Sequence, residues 1–183
     1  MKRHAALLVL LALAVVSCGR LRDDGPASGG GQPAPEEHAT RVEIYASAFR
    51  ALAETEGWFD PVLLDERICP EAGDVGGSGQ SAPCTKTFTE AEQAAILSEL
   101  SDVANARFVA DAEQVEDRIF EGELQGAGLL TVGEIDDDGD SDRVEVGGRS
   151  YCGGLCAHWM TLVLERGPDG WSVTGTTGPV AIS

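Results

Sequence analysis

Apolar residues repeat with two different periods along this chain, and the place where the period changes divides it. Val42, Tyr45, Phe49 and Leu52 recur three or four residues apart, the spacing that lines one face of an α-helix. Thr40-Arg41-Val42-Glu43 overlaps their start and fits a capping box, in which a Thr oxygen and a Glu carboxylate satisfy each other's free backbone amides. The pattern predicts an amphipathic helix from Arg41 to about Glu56. Ile96, Leu97, Leu100 and Val103 follow a second such box, Thr89-Glu90-Ala91-Glu92. They predict a helix from Glu90 to about Ser101.

Beyond residue 104 the period shortens toward two. Arg107 to Ala110 reads as a strand, Asp111 to Glu121 is charged and fits neither template, and Leu124 to Ile135 is a strand region broken by Gly. From Arg143 to Ser150, Val144 and Val146 share one face while Glu145 and Arg149 take the other. From Ala157 to Arg166, His158, Met160, Leu162 and Leu164 oppose Trp159, Thr161 and Val163. Gly167-Pro168-Asp169-Gly170 is a turn, Trp171 to Thr177 the returning strand, and Val180 to Ile182 a last short one. Helices first and strands afterwards indicate an α+β fold, with two N-terminal helices packed on an antiparallel β-meander.

The first 39 residues belong to neither pattern. Lys2, Arg3 and His4 precede an unbroken apolar run of 12 residues, Ala5 to Val16. That run is short for a membrane span, which needs about 20 apolar residues, but has the form of a secretory signal peptide. Val15-Val16-Ser17-Cys18 then resembles the lipobox of bacterial lipoproteins. The resemblance implies that residues 1–17 are removed and that Cys18 becomes the mature N-terminus, carrying diacylglycerol on its sulfur, palmitate among the acyl groups. Two acyl chains suffice for stable anchoring where one does not. The implied location is the extracytoplasmic face of the cell membrane, and the lipid anchor is the one membrane contact expected. Gly19 stands where some Gram-negative lipoproteins carry an Asp that retains them in the inner membrane. Residues 18–39 are dominated by Gly, Pro, Ser and charge, the composition of a flexible tether. Residues 40–183 remain for a single domain.

Charge narrows the partners. The 31 acidic residues outnumber 13 Lys plus Arg, a net charge of −18, and losing Lys2 and Arg3 with the leader makes it −20. Such a surface repels phosphate backbones, which argues against nucleic acid, and equally repels anionic headgroups. With 5% aromatic residues, an aliphatic core is expected.

Four cysteines follow Cys18: Cys69, Cys84, Cys152 and Cys156. An even count in an exported domain indicates two disulfides. Three connectivities are open, and sequence neighbours suggest Cys69–Cys84 and Cys152–Cys156. Residues four apart in a continuous strand lie about 13 Å from each other, beyond disulfide reach. Gly153 and Gly154 must therefore bend the chain into a stapled hairpin. A metal site built from Cys152, Cys156 and His158 lacks a fourth ligand nearby, and a redox role for the C-x-x-x-C pair lacks a thioredoxin-like βαβ setting.

Glu134 to Glu145 carries seven carboxylates in twelve positions. It resembles the D-x-D-x-D-G calcium loop of EF-hands and of FG-GAP propellers. That resemblance implies Glu134, Asp136 and Asp138 as first ligands, Gly139 at the sharp turn, Asp140 through its carbonyl, and Asp142 and Glu145 completing a calcium cage. The first position is Glu instead of Asp, and Ser141 stands where EF-hands prefer an aliphatic residue. Strands flank the loop instead of helices. The alternative is a solvated hairpin loop turning at Asp138-Gly139.

No G-x-S-x-G elbow, phosphate-binding G-x-x-x-x-G-K-[ST] or H-E-x-x-H helix occurs, and His158 is the one His of the expected domain. Trp159 and Trp171 are placed to face each other across the last hairpin. Tyr151 to Cys156, Leu162 to Arg166 and Gly170 to Thr177 together resemble the C-terminal part of uncharacterised secreted and lipoprotein domains of high-GC bacteria, which implies export but no activity. The expectation is a membrane-anchored surface lipoprotein, its domain a non-catalytic binding or envelope-interaction module without a cofactor. The alternatives are a calcium-stabilised adhesive module and a small secreted hydrolase.

Overall fold

Local sequence chemistry starts each helix. In a computed structural model, which describes residues 35–57, 59–70, 72–74, 83–103, 105–137 and 142–182, Thr89 Oγ1 accepts from the amide of Glu92 at 3.2 Å. The Glu92 carboxylate accepts in return from the amide of Thr89 at 2.8 Å. This is the expected capping box, and it opens α2 (Glu90–Glu99). The box at Thr40 does not open a helix. α1 spans Pro35–Glu56, so the last five residues assigned to the tether (18–39) are helical. Proline is pre-organised for the first helical position, and Glu36 and Glu37 in the first turn complement the positive helix end. Asp111, whose carboxylate accepts from the amide of Gln114 at 2.9 Å, caps a third helix, α3 (Ala112–Phe120), where the sequence pattern was ambiguous.

The strands are β1 (Val62–Ile68), β2 (Lys86–Thr87), β3 (Arg107–Val109), β4 (Gly128–Asp136), β5 (Arg143–Gly153), β6 (Cys156–Gly167) and β7 (Gly170–Ile182). They form one mostly antiparallel sheet of seven strands, ordered β2-β1-β4-β5-β6-β7, with β3 also on β1. β4 to β7 are the expected meander, each strand pairing with the next. β1 corrects a purely antiparallel sheet: it runs parallel to both β3 and β4. It also separates α1 from α2 in the chain, so three helices interleave with strands where two were expected to precede them. The residues of β1 explain its place. Val62, Leu63 and Leu64 are consecutive and all buried, the continuous apolar run of a strand covered on both faces.

One face of the sheet carries α1 and α2, whose Tyr45, Phe49, Leu52, Ile96 and Leu100 pack with Leu64, Leu130, Val132, Val146, Leu162 and Leu164. The other face is covered at one end by α3, with Ala112, Val115 and Ile119 on Leu63 and Leu129. Aromatic residues are few but collected. Tyr45 meets Phe88 edge-to-face at 4.8 Å, and Phe49 meets Phe108 at 6.0 Å, each such pair adding about 0.5–1.5 kcal/mol beyond burial. The rest of the buried core is aliphatic, as the low aromatic content leads one to expect.

Both cysteine pairs suggested by sequence proximity lie at disulfide distance. Cys69 and Cys84, with Cα atoms 4.3 Å apart, join the end of β1 to the approach to β2. Cys152 and Cys156, with Cα atoms 5.2 Å apart, close the β5–β6 turn. Gly153 there has φ +136°, which L side chains rarely adopt. The hairpin is stapled as the spacing required. No helix among the described residues is long and apolar enough to cross a membrane.

Candidate functional site

The residues singled out from the sequence do not converge on one place. Residues 1–34, and with them Cys18, lie outside the described residues, as do Asp138 and Asp140. Of the other residues expected to hold calcium, Glu134 pairs with Lys86 Nζ at 2.8 Å. Glu145 accepts from Arg143 Nη2 at 2.6 Å and from Thr177 Oγ1 at 2.9 Å. Asp136 stands opposite Glu145 where β4 and β5 part, and Asp142 is exposed at the start of β5. A register shift between Val132 and Ile135 accompanies the turning of Glu134 toward Lys86. Among the described residues, no group of three or more His, Cys, Asp or Glu side chains is arranged to hold a metal ion.

His158 lies on the α1/α2 face as expected, paired with Ser150 on β5 and Ile182 on β7. Ser150 is completely buried, so this Ser-His pair presents no hydroxyl to a substrate. The two tryptophans do not face each other. Trp159 is opposite Ala181 and Trp171 is opposite Arg166, because the turn between Gly167 and Gly170 sets Trp171 seven residues along β6 from Trp159. Trp159 lies on the α3 side under the Arg149 guanidinium, 5.6 Å from the ring centre.

Arg149 belongs to a charged cluster that the sequence did not reveal. It pairs with Glu116 of α3 and also lies over the Tyr151 ring at 5.2 Å. Beside it Asp65, only 1% exposed, is gripped by Arg67 through Nε and Nη2, both at 3.1 Å, and receives the Arg67 amide at 3.0 Å. A cavity of ≈ 290 Å³ opens between them and the Cys69–Cys84 bridge. Each arginine is engaged by a carboxylate, so the cluster pins α3 to the sheet. A signal was present: an acid directly after three apolar residues of a strand, with Arg two positions on, demands a buried partner.

On the opposite side of the sheet, α1 and the terminal strand β7 bound a groove of ≈ 580 Å³. Ser47 Oγ donates to the Trp171 carbonyl at 2.7 Å, which fixes α1 against β7. Arg50 stands in the groove but is committed. It donates to Asp102 and, at 2.6 Å, to the Glu99 carbonyl, and this hydrogen bond holds the Asp102 carboxyl below its ordinary range. Trp171 also walls two adjoining concavities. One holds Glu43, Glu99 and Asp169, and the other, of ≈ 530 Å³, runs from Glu36 and Glu37 to Ile135, Asp137 and Val144. Its indole N–H is buried without an acceptor among the described residues, a state that costs about 1–3 kcal/mol.

The exposed large apolar side chains lie toward the opposite end of the sheet. They are Phe120, Leu155, Val180 and Ile182, from 50% to 91% exposed. Phe120 touches the β5–β6 turn at Gly154, Leu155 is in that turn, and Val180 and Ile182 end β7. No protein-family model matches the chain, nor does any curated protein or solved structure. Function is therefore argued from the residues.

Proposed function

We propose that the chain is a bacterial surface lipoprotein, anchored through lipidated Cys18, whose α+β domain is a non-catalytic module that binds an extracytoplasmic partner. Val15-Val16-Ser17-Cys18, directly behind a signal-like apolar run, supports the anchor. The observation that carries the binding role is the polarity of the domain. The chain enters at Pro35, where the first turn of α1 adjoins Asp137 and Val144. The four large apolar residues that are exposed among the described residues sit toward the far end, at the stapled hairpin or at the end of β7. With the chain attached at the acidic end, that apolar tip is the end of the domain remote from the attachment. Exposed apolar side chains gathered in one region mark contact surfaces more often than scattered ones do. The two cysteine pairs suit an oxidising compartment outside the cytoplasm.

Metabolic labelling with an alkyne fatty acid tests the anchor. The wild-type chain is expected to take up the label and Cys18→Ser to take up none. An unlabelled wild type, or a label that persists in the variant, overturns this reading.

A further inference from the structure

We infer that the groove between α1 and β7 receives an extended, basic peptide segment of a partner protein, which adds as a strand along the free edge of β7. The inference rests on reading the domain as a binding module and names what it binds. β7 is the last strand of the sheet order, so alternate N–H and C=O groups along it have no strand to meet among the described residues. Proteins guard such edges with charge, proline or bulges. From Gly170 to Ile182 there is no charged residue, in a chain that is 24% charged. The guards present are Pro179 and register shifts near Thr174 and Gly178, so the run before Pro179 left accessible is Ser172 to Thr177, with one bulge in it at Thr174.

The groove beside this run states the chemistry of its occupant. Glu54 is exposed on its α1 wall, and Glu43, Glu99 and Asp169 line the adjoining concavity. Arg50, the one cation in either lining among the described residues, is already bound to Asp102. Lys or Arg side chains at alternate peptide positions meet these carboxylates, while the positions between them point to the other face of the sheet. A second copy of this chain is the wrong occupant, since it would bring the same carboxylates and a net charge of −20 against themselves. Strand addition of this kind draws affinity from main-chain hydrogen bonds and specificity from the pockets for alternate side chains.

The test uses the mature full-length protein and a labelled heptapeptide alternating Lys and Val, with a Glu/Val counterpart. The Lys/Val peptide is expected to bind and the Glu/Val peptide to bind at least tenfold more weakly. In a strand, only every second residue of the peptide hydrogen-bonds to β7. N-methylation of one alternate set is therefore expected to weaken binding at least tenfold, and of the other set less than twofold. Hydrogen exchange is expected to slow at residues 172–177, and Glu54→Lys with Asp169→Lys to weaken binding several-fold. Equal sensitivity to both methylation sets, protection elsewhere, or no binding of the Lys/Val peptide overturns the inference. A dimer in solution that protects residues 172–177 also overturns it and makes a second copy the occupant. None of these results bears on fatty-acid labelling of Cys18, so the two readings fail separately.

Discussion

At the scale of single residues, Tyr45 shows how burial turns into pH dependence. Its ring is in the core, and burial raises its phenol pKa from 10.0 to about 12, with the Arg41 charge opposing and Glu134 and Glu92 adding to the rise. The neutral phenol is thus favoured in the folded state. Its contribution is fully present below about pH 10 and is lost as pH rises through about 12, a decline of roughly 2–3 kcal/mol at 1.36 kcal/mol per pKa unit. Urea melts from pH 9 to 12 should show this fall, and Tyr45→Phe should flatten most of it. An equally steep fall in the variant would assign the effect elsewhere. The calcium expectation also belongs at this scale. Glu134 and Glu145 would have to leave Lys86 and Arg143 to ligate, so 10 mM calcium is expected to leave the melting temperature unchanged. A site of about 0.1 mM affinity would add roughly 2.7 kcal/mol at that concentration, a rise of several degrees. Such residue-level pairings were only partly legible in the sequence. The cysteine partners followed from proximity and strand geometry, whereas Asp65–Arg67 and Glu116–Arg149 depend on which strand becomes central and on which helix covers the second face.

Elements differed in legibility for a physical reason. Amphipathic segments with long repeats announce themselves, so α1, α2 and β4 to β7 were readable, and the faces of β5 and β6 were assigned correctly down to His158. β1 has no alternation to read, because both its faces are buried. α3 is only nine residues long and shows too few periods to stand out from a charged background. The start of α1 was misplaced because two signals compete within a few residues, and Pro35 with Glu36 and Glu37 prevails over the box at Thr40. The Thr89 box opens α2 with no competitor upstream. Thr89→Ala is therefore expected to cost about 1 kcal/mol, read as a lower urea midpoint at unchanged slope. No change would mean that packing of Ile96 and Leu100 alone sets the start of α2.

For the whole molecule, the arrangement is directional. An acidic end carries the start of α1 and of the uncharged edge strand β7, a mostly antiparallel sheet separates two helical layers, and an apolar tip lies at the other end. The formal net charge of −18 is repulsive toward phosphate backbones and anionic lipid surfaces, and in the proposed peptide groove beside β7 the same excess would favour basic partners. The proposed anchor at Cys18 would decide which compartment this domain faces. The most direct measurement is the intact mass of the mature protein isolated from its own cells. The mature chain is expected to start at Cys18, to lack residues 1–17 and to carry diacylglycerol on Cys18. A mature chain that starts elsewhere, or an unmodified Cys18, would contradict it.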